Sequence, residues 1–299
     1  MSKRKIRIAI KEFLIVVVAL LTVCLLFGEK SPITSEVESY IKPTLDSDKV
    51  FVHFIDVGQG SCVLIQQGEQ GILIDSGEDS YSERVSDYVL SCGVESFSYV
   101  IATHPHSDHI GGLDEIIESY TVSEVVMPCV AESYVPDSGV YNDFIGAIDS
   151  KKLTVNYADV GEKLTAGDIS VEILGPSKQS SNLNNMSVIC KVDIFSTNFL
   201  FMGDAESSQI NSVYSTYSQF DCDVLHVPHH GSDTALHNAF FDSITAEVAV
   251  ISCGEDNSYG HPHQQTLDYY TDNGCEIYRT DIDGDVVFSC TSEGYSIEL

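Results

Sequence analysis

Between Thr103 and Gly112 the chain reads Thr-His-Pro-His-Ser-Asp-His-Ile-Gly-Gly, which puts three imidazoles and a carboxylate within six residues directly after the apolar run 99–102. His104, His106, Asp108 and His109 are side chains that grip a transition metal. Imidazole suits zinc, iron and manganese-like ions, and an added carboxylate suits a catalytic site better than a closed structural one. A strand that ends in a turn can point His104 and His106, two apart, at one ion, while Asp108 and His109 on an incoming helix turn towards a second. Gly111 and Gly112 let backbone lie close to the site. The plain alternative, a solvated His-rich loop, is disfavoured by the ordered spacing and by the pieces that follow.

Those pieces form a frame of short strands. Residues 50–56 read as a strand, 57–60 as a tight turn, and 61–66 and 71–75 as two more strands of a meander. Residues 82–91 have helical spacing, 99–102 is an apolar strand, and Gly111-Gly112 leads into a helix through Ser119. Asp75 ends its strand and is placed either to support a ligand histidine or to act as a turn residue. Adjacent strands are expected at 187–195 and 198–202, with Asp204 behind Gly203 and a helix over 205–217 that Asp204 alternatively caps. Further strands at 223–227 and 247–252 precede Pro228-His229-His230-Gly231 and Tyr259-Gly-His-Pro262. The last two strands, 276–280 and 285–290, flank Asp281-Ile-Asp-Gly-Asp285, a polar turn that lacks the closing Glu of a calcium loop. His53 and His226 sit inside apolar strands and read as core residues; His237 reads as helix surface.

The first 49 residues have a different logic. Lys3, Arg4, Lys5, Arg7 and Lys11 precede the charge-free run 13–27, about 22 Å of helix against a hydrocarbon core of about 30 Å unless 8–10 joins it. No small-x-small cleavage site follows, and the basic flank holds the N-terminus inside. The reading is one N-terminal membrane helix, a signal anchor over 1–30, then a linker over 31–49 and an extracytoplasmic domain over 50–299, secreted instead if the segment is cleaved as a signal peptide. Cys24 follows Leu-Thr-Val, a poor match to a lipoprotein box. Of the nine cysteines none forms a Cys-x-x-Cys pair, and most lie in strand-like runs as small core residues. Net charge is −30; beyond residue 30, nine Lys/Arg face 43 Asp/Glu, a net −34. Such a surface repels nucleic acid and anionic lipid, so no broad nucleic-acid face is expected.

The ensemble of motifs resembles the metallo-β-lactamase fold superfamily, and more narrowly the hydrolase-like domain of the ComEC competence proteins. The residues that carry the resemblance are Phe54-Ile-Asp-Val-Gly-Gln-Gly-Ser61, the 103–112 cluster, Asn185-Met-Ser-Val188, Met202-Gly-Asp204, Pro228-His-His-Gly-Ser232 and Tyr259-Gly-His-Pro262. The resemblance implies an α/β (α+β), four-layer αβ/βα sandwich with a two-metal site between its sheets. It implies that Asp204 bridges the ions and that one of His229 and His230 is the sixth ligand. His229 is the choice, with His230 a substrate contact or the reverse. His261 is assigned to substrate or phosphate contact, or else to support, with His263 as its substitute; Asn185 and Ser187 lie beside the site. Many superfamily members carry a further histidine that is missing here, since 110–203 contains none, and the corresponding region offers Asn184, Asn185 and Ser187 instead. One ion, zinc or manganese, is therefore expected to have fewer protein ligands and partial occupancy.

The function expected is hydrolysis of a phosphoester or phosphodiester, nuclease-like by resemblance, through a metal-bound hydroxide oriented by Asp108 and Asp204. The substrate is a small phosphoester, such as a cell-wall or choline-type substituent, or nucleic acid presented by a partner such as a separate channel protein. A β-lactam or lactone hydrolase and a non-catalytic metal-containing binding module are the alternatives. No Ser-His-Asp elbow, phosphate-binding glycine loop or internal repeat is present.

Overall fold

The structure, a computed structural model, describes residues 47–217, 222–244 and 246–299. The basic flank, the apolar run and nearly all of the linker lie outside the described residues. Two sheets carry the fold. The first is ordered β15-β14-β1-β2-β3-β4-β5-β6 and the second β13-β12-β11-β10-β9-β8-β7. In chain order these are β1 (Val50–Phe54), β2 (Val63–Gln67), β3 (Gln70–Ile74), β4 (Ser96–Ile101), β5 (Thr121–Met127), β6 (Thr154–Tyr157), β7 (Lys163–Ala166) and β8 (Ile169–Gly175). They continue as β9 (Ile189–Ile194), β10 (Thr197–Phe201), β11 (Val224–His226), β12 (Val248–Ile251), β13 (Glu276–Arg279), β14 (Val286–Thr291) and β15 (Gly294–Glu298). The strands read from sequence recur with ends shifted by up to three residues, and β1-β2-β3 is the expected antiparallel meander.

Both faces of each sheet are covered, which is why the central strands are apolar throughout rather than alternating. Val63 and Ile65 of β2, Ile72 and Ile74 of β3, Phe199 and Phe201 of β10, and Val248 and Val250 of β12 meet between the sheets. The alternate residues turn outward: Leu64 and Leu73 to one helix layer, Leu200, Leu225 and Ala249 to another. Phe54 joins the two halves, its ring 6.0 Å from Phe201 and 5.7 Å from Phe288. On the first outer face lie α1 (Ser82–Ser91), α2 (Ser107–Ile110), α3 (Leu113–Ser119) and α4 (Gly139–Lys151). On the second lie α5 (Ser207–Thr216), α6 (Asn238–Phe241) and α7 (Gln264–Asp272). Helix α1 buries Val85 and Val89, and α5 buries Gln209, Ile210 and Val213, the spacing of one helical face.

Two local expectations change. Residues 280–283 form a single helical turn, α8 (Thr280–Asp283), instead of an open turn. His237 is the N-cap of α6, its Nδ1 accepting the Phe240 amide at 3.2 Å, rather than a residue on a helix surface. His53 and His226 are core residues: each is at most 7% exposed, His53 against the Tyr88 hydroxyl (3.0 Å) and His226 against Ser252 Oγ (3.0 Å). Burial holds His53 down to about 4 and, with the nearby His230, His226 down to about 3. The eight described cysteines form no disulfide.

Candidate metal centre

Strands β3, β4 and β5 run parallel, so their C-terminal ends open on one edge of the sandwich. Asp75, the first residue after β3, takes φ 58° and turns a fully buried carboxylate across that edge. Its Oδ1 accepts the Thr103 amide (2.8 Å), and its Oδ2 accepts the Thr103 hydroxyl (2.7 Å) and faces His109 Nδ1 at 2.7 Å. Burial raises the Asp75 pKa; His109 and Thr103 oppose that rise.

This network decides which nitrogen of each histidine looks inward. A carboxylate only accepts, so His109 carries its proton on Nδ1 and presents a bare Nε2. The Thr103 hydroxyl is spent on Asp75, so its oxygen accepts from His104 Nδ1 (3.1 Å) and His104 Nε2 is bare as well. That atom lies 3.0 Å from His106 Nδ1. The loop is fastened by backbone: the Ser61 amide donates to Asp108 O (3.1 Å) and the Ser76 amide to His109 O (2.7 Å). Gly60 is needed here because a Cβ would stand 2.6 Å from Asp108 O.

The second half of the chain supplies the opposite wall. Gly203 (φ 51°), two residues past β10, lies where a Cβ would meet Ser187 Oγ at 2.9 Å and Thr103 at 3.0 Å, and Asp204 follows with its amide donating to Ser187 Oγ (3.0 Å). Asp204 lies between two sets of imidazoles. Its Oδ1 is 3.1 Å from His109 Nε2 and 3.5 Å from His230 Nε2; its Oδ2 is 3.7 Å from His104 Nε2 and 3.8 Å from His229 Nε2. His230 Nδ1 donates to the Ser252 carbonyl (2.8 Å), which leaves its Nε2 bare and 3.4 Å from Asp108 Oδ2.

Two groups therefore converge on one carboxylate: Asp108, His109, Asp204 and His230, and beside them His104, His106 and Asp204. His109 Nε2, His230 Nε2 and Asp204 Oδ1 are buried without a hydrogen-bond partner. Bare imidazole nitrogens facing carboxylate oxygens are the donor set of a divalent cation, so the residues present fit the expected metal. The electrostatics agree. Burial opposes charge on His109, yet Asp204, Asp75 and Asp108 raise its pKa well above the usual value, so these carboxylates call a positive charge to Nε2, a proton where no cation is bound and the cation in its place where one is. Burial likewise opposes charge on Asp204, yet His109 and His230 hold its carboxyl well below the usual range. The centre draws in positive charge.

The expected residues divide as follows. His104, His106, Asp108, His109 and Asp204 come together. Of the histidine pair it is His230, 4% exposed, that enters the cluster, while His229 stands to one side with Nδ1 3.1 Å from Thr234 Oγ1. That order is the reverse of the one expected, because His229, His230 and Gly231 take φ of 52°, 54° and 80° in succession. His261 lines the cavity over the cluster, about 350 Å³. Its ring is neutral, lowered to about 4 by burial and the neighbouring His230 and His229. His263 turns away, Nδ1 accepting the Asp233 amide at 3.0 Å, and does not replace it. Asn185 faces the start of α5, its Oδ1 accepting the Glu206 and Gln209 amides, and Ser187 braces Asp204. A larger cavity, about 570 Å³ beside Phe241 and Tyr269, contains none of these residues.

Three residues near the centre carried no assigned role in the sequence: Gln59 and Tyr259, which line the cavity within recognised motifs, and Asn257; Asn184, offered with Asn185 and Ser187 where a histidine is missing, also lines it. Asn257 staples the 254–261 loop, its Oδ1 accepting the His261 amide (3.0 Å) and its Nδ2 donating to Gly254 O (2.9 Å). An Asn in a Gly-rich segment is a signal for such a loop, though not for what it holds.

Residues 55–255 match the family model described as the metallo-beta-lactamase superfamily. The chain is 26% identical over 268 residues to ComE operon protein 3 of Bacillus subtilis, covering 83% of this chain and 34% of that protein. It is 24% identical over 253 residues to competence protein ComA of Neisseria gonorrhoeae, covering 84% and 34%. The chain thus spans about a third of the length of these relatives. In fold it is similar to the metallo-beta-lactamase fold protein YhfI of Bacillus subtilis, with a TM-score of 0.52 at 15% identity over 81% of this chain and 99% of that one.

Proposed function

The chain belongs to the metallo-beta-lactamase superfamily and is related to the competence proteins it matches, and from that premise we propose that it is a metal-dependent phosphoester hydrolase acting outside the cytoplasm. The observation that carries the reading is the division of Asp204, one carboxylate oxygen towards each of two imidazole sets on the floor of a single cavity. His104, His106 and Asp204 would hold one divalent ion, zinc or manganese, and Asp108, His109, His230 and Asp204 the other. Such ions, when bound, lower the pKa of water and withdraw charge from a phosphorus centre.

The chain's own residues supply the rest. Asp75, Thr103 and the Ser252 carbonyl keep the ligand nitrogens of His109, His104 and His230 bare and aimed, so the centre is preorganised before substrate arrives. His261, neutral above pH about 4, offers a hydrogen bond to a phosphoryl oxygen instead of a full charge. Exposed Tyr259, its ring 5.6 Å from that of His261, forms the lip of the cavity. Among the described lining residues none is Lys or Arg, so nothing on this wall holds a chain of phosphates. With the −34 charge beyond residue 30, this favours a small phosphoester, or a nucleic-acid end delivered by a partner such as a separate channel protein. The membrane anchor over 13–27 belongs to the same proposal; among the described residues no helix is long and apolar enough to cross a membrane.

The full chain, loaded with zinc or with manganese, is assayed on bis-(p-nitrophenyl) phosphate, single-stranded DNA and nitrocefin. Turnover of a phosphodiester, lost at least about a hundredfold in His106→Ala and Asp204→Asn, is the expected result. Turnover of nitrocefin alone, or variants as active as the wild type, would refute the reading.

A further inference from the structure

The two sides of Asp204 are unequally furnished. The Oδ1 side has His109 and His230 within 3.5 Å and Asp108 beside them, whereas the Oδ2 side has His104 at 3.7 Å with His106 behind it, and His229 at 3.8 Å, whose nitrogens are engaged elsewhere. No histidine occurs between Ile110 and Gly203 to complete the poorer side. What stands there is a cluster built around Glu206, two residues after Asp204. Glu206 Oε2 accepts from Asn182 Nδ2 (2.9 Å) and Oε1 from Asn184 Nδ2 (3.1 Å). Because a carboxylate can only accept, the Asn184 amide must show Glu206 its nitrogen and turn its oxygen the other way. That oxygen is buried without a partner, on a residue that lines the cavity.

The neighbours hold this orientation. Asn182 Oδ1 accepts the Asn184 backbone amide (3.0 Å), closing a tight local turn. The second hydrogen of Asn184 Nδ2 points to His229 Nε2 (3.3 Å), and His229 Nδ1 is 3.1 Å from Thr234 Oγ1. With its proton on Nδ1, His229 gives to Thr234 and accepts from Asn184, so both its nitrogens are engaged.

We propose that Glu206 is a positioning residue that turns the Asn184 amide oxygen towards the Oδ2 side of the centre, where it serves as the neutral oxygen ligand in place of a third histidine. His229 braces the amide and binds no ion. The inference rests on the two-ion reading above. It makes the Oδ2 position the weaker and more readily exchanged of the two, because a neutral amide oxygen replaces an imidazole there.

The test is zinc binding by the full chain, stripped of metal and followed by calorimetry and by metal content after dialysis. The wild type is expected to bind two ions with unequal affinity. Asn184→Ala and Glu206→Ala should weaken the looser site by about 10- to 100-fold and leave the tighter one within about twofold. Glu206→Gln, equal in shape, should resemble Glu206→Ala, because its own NH2 must face one of the two asparagines and turn it. Wild-type affinities at both sites in Asn184→Ala and Glu206→Ala would overturn the proposal, and so would equal weakening of both sites. A wild type that binds no zinc would overturn this inference together with the two-ion reading; one that binds two ions and hydrolyses no phosphoester would overturn only the phosphoesterase assignment.

Discussion

Two loops deliver side chains to Asp204, and they are built in opposite ways. The 103–112 loop uses ordinary backbone: His106 is extended and Ser107–Ile110 is a helical turn. Its geometry is set by side-chain chemistry, above all the Asp75 carboxylate that takes Thr103 and His109 together. The 228–232 loop uses rare backbone, with three successive positive φ angles, two of them at histidines. It is held by main-chain carbonyls, Gly203 O taking the His229 amide (3.0 Å) and Ser252 O taking His230 Nδ1. Residue types written in the sequence define the first loop; strain borne by the surrounding packing defines the second, the kind of outlier that collects at functional sites.

The sharpest way to break this contrast is to remove one histidine of the strained pair at a time. His230→Ala should lower kcat/KM at least about a hundredfold and strip the tighter ion, while His229→Ala should cost less than about tenfold, read by turnover and metal content. Equal losses would mean that the backbone does not choose between them. In the first loop, Asp75→Asn keeps the shape but replaces an acceptor with a group that also donates. Metal affinity should fall about 10- to 100-fold with the fold retained by circular dichroism; an unchanged affinity would show that the loop does not need its carboxylate.

The smallest effect concerns histidines of the frame. His53 titrates at about 4 in the fold against 6.5 for an exposed imidazole. Above pH 6.5 both states are neutral and no penalty exists. As pH falls from 6.5 to 4 the unfolded chain takes up a proton that the fold refuses, so stability drops by up to about 3 kcal/mol from this group and no further below pH 4. His53→Gln should flatten that drop in urea midpoints compared between pH 7 and pH 4.5; an identical slope would mean that His53 is not held neutral.

The same contrast explains what could be read in advance. His104, His106, Asp108 and His109 were legible because their spacing is short and their chemistry local. The apolar runs of β1, β3, β10 and β12 were legible because sheets covered on both faces leave few polar residues. The order of His229 and His230 was not, since two φ angles near +50° are invisible in a His-His pair. Asn184, Asn185 and Ser187 were legible as the residues standing where a histidine is missing, but not which of them faces the cavity: Asn184 does and Asn185 caps α5, and a one-residue phase in a 3-10 turn decides that. The segment from β5 to β8 was not assigned from sequence, because its strands mix polar and apolar residues: β5 is continuously apolar only in its last three positions, and β8 alternates buried and half-buried residues in its first four.

If the two-ion reading holds, Asp204 stands between the ions. Anomalous diffraction from crystals of the full chain grown with zinc tests it most directly. Two peaks about 3.5–4 Å apart are expected, one among Asp108, His109 and His230 and one beside His104 and His106, with Asp204 touching both. A single peak that Asp204 does not touch, or none in the cavity, would rule out a carboxylate shared by two ions.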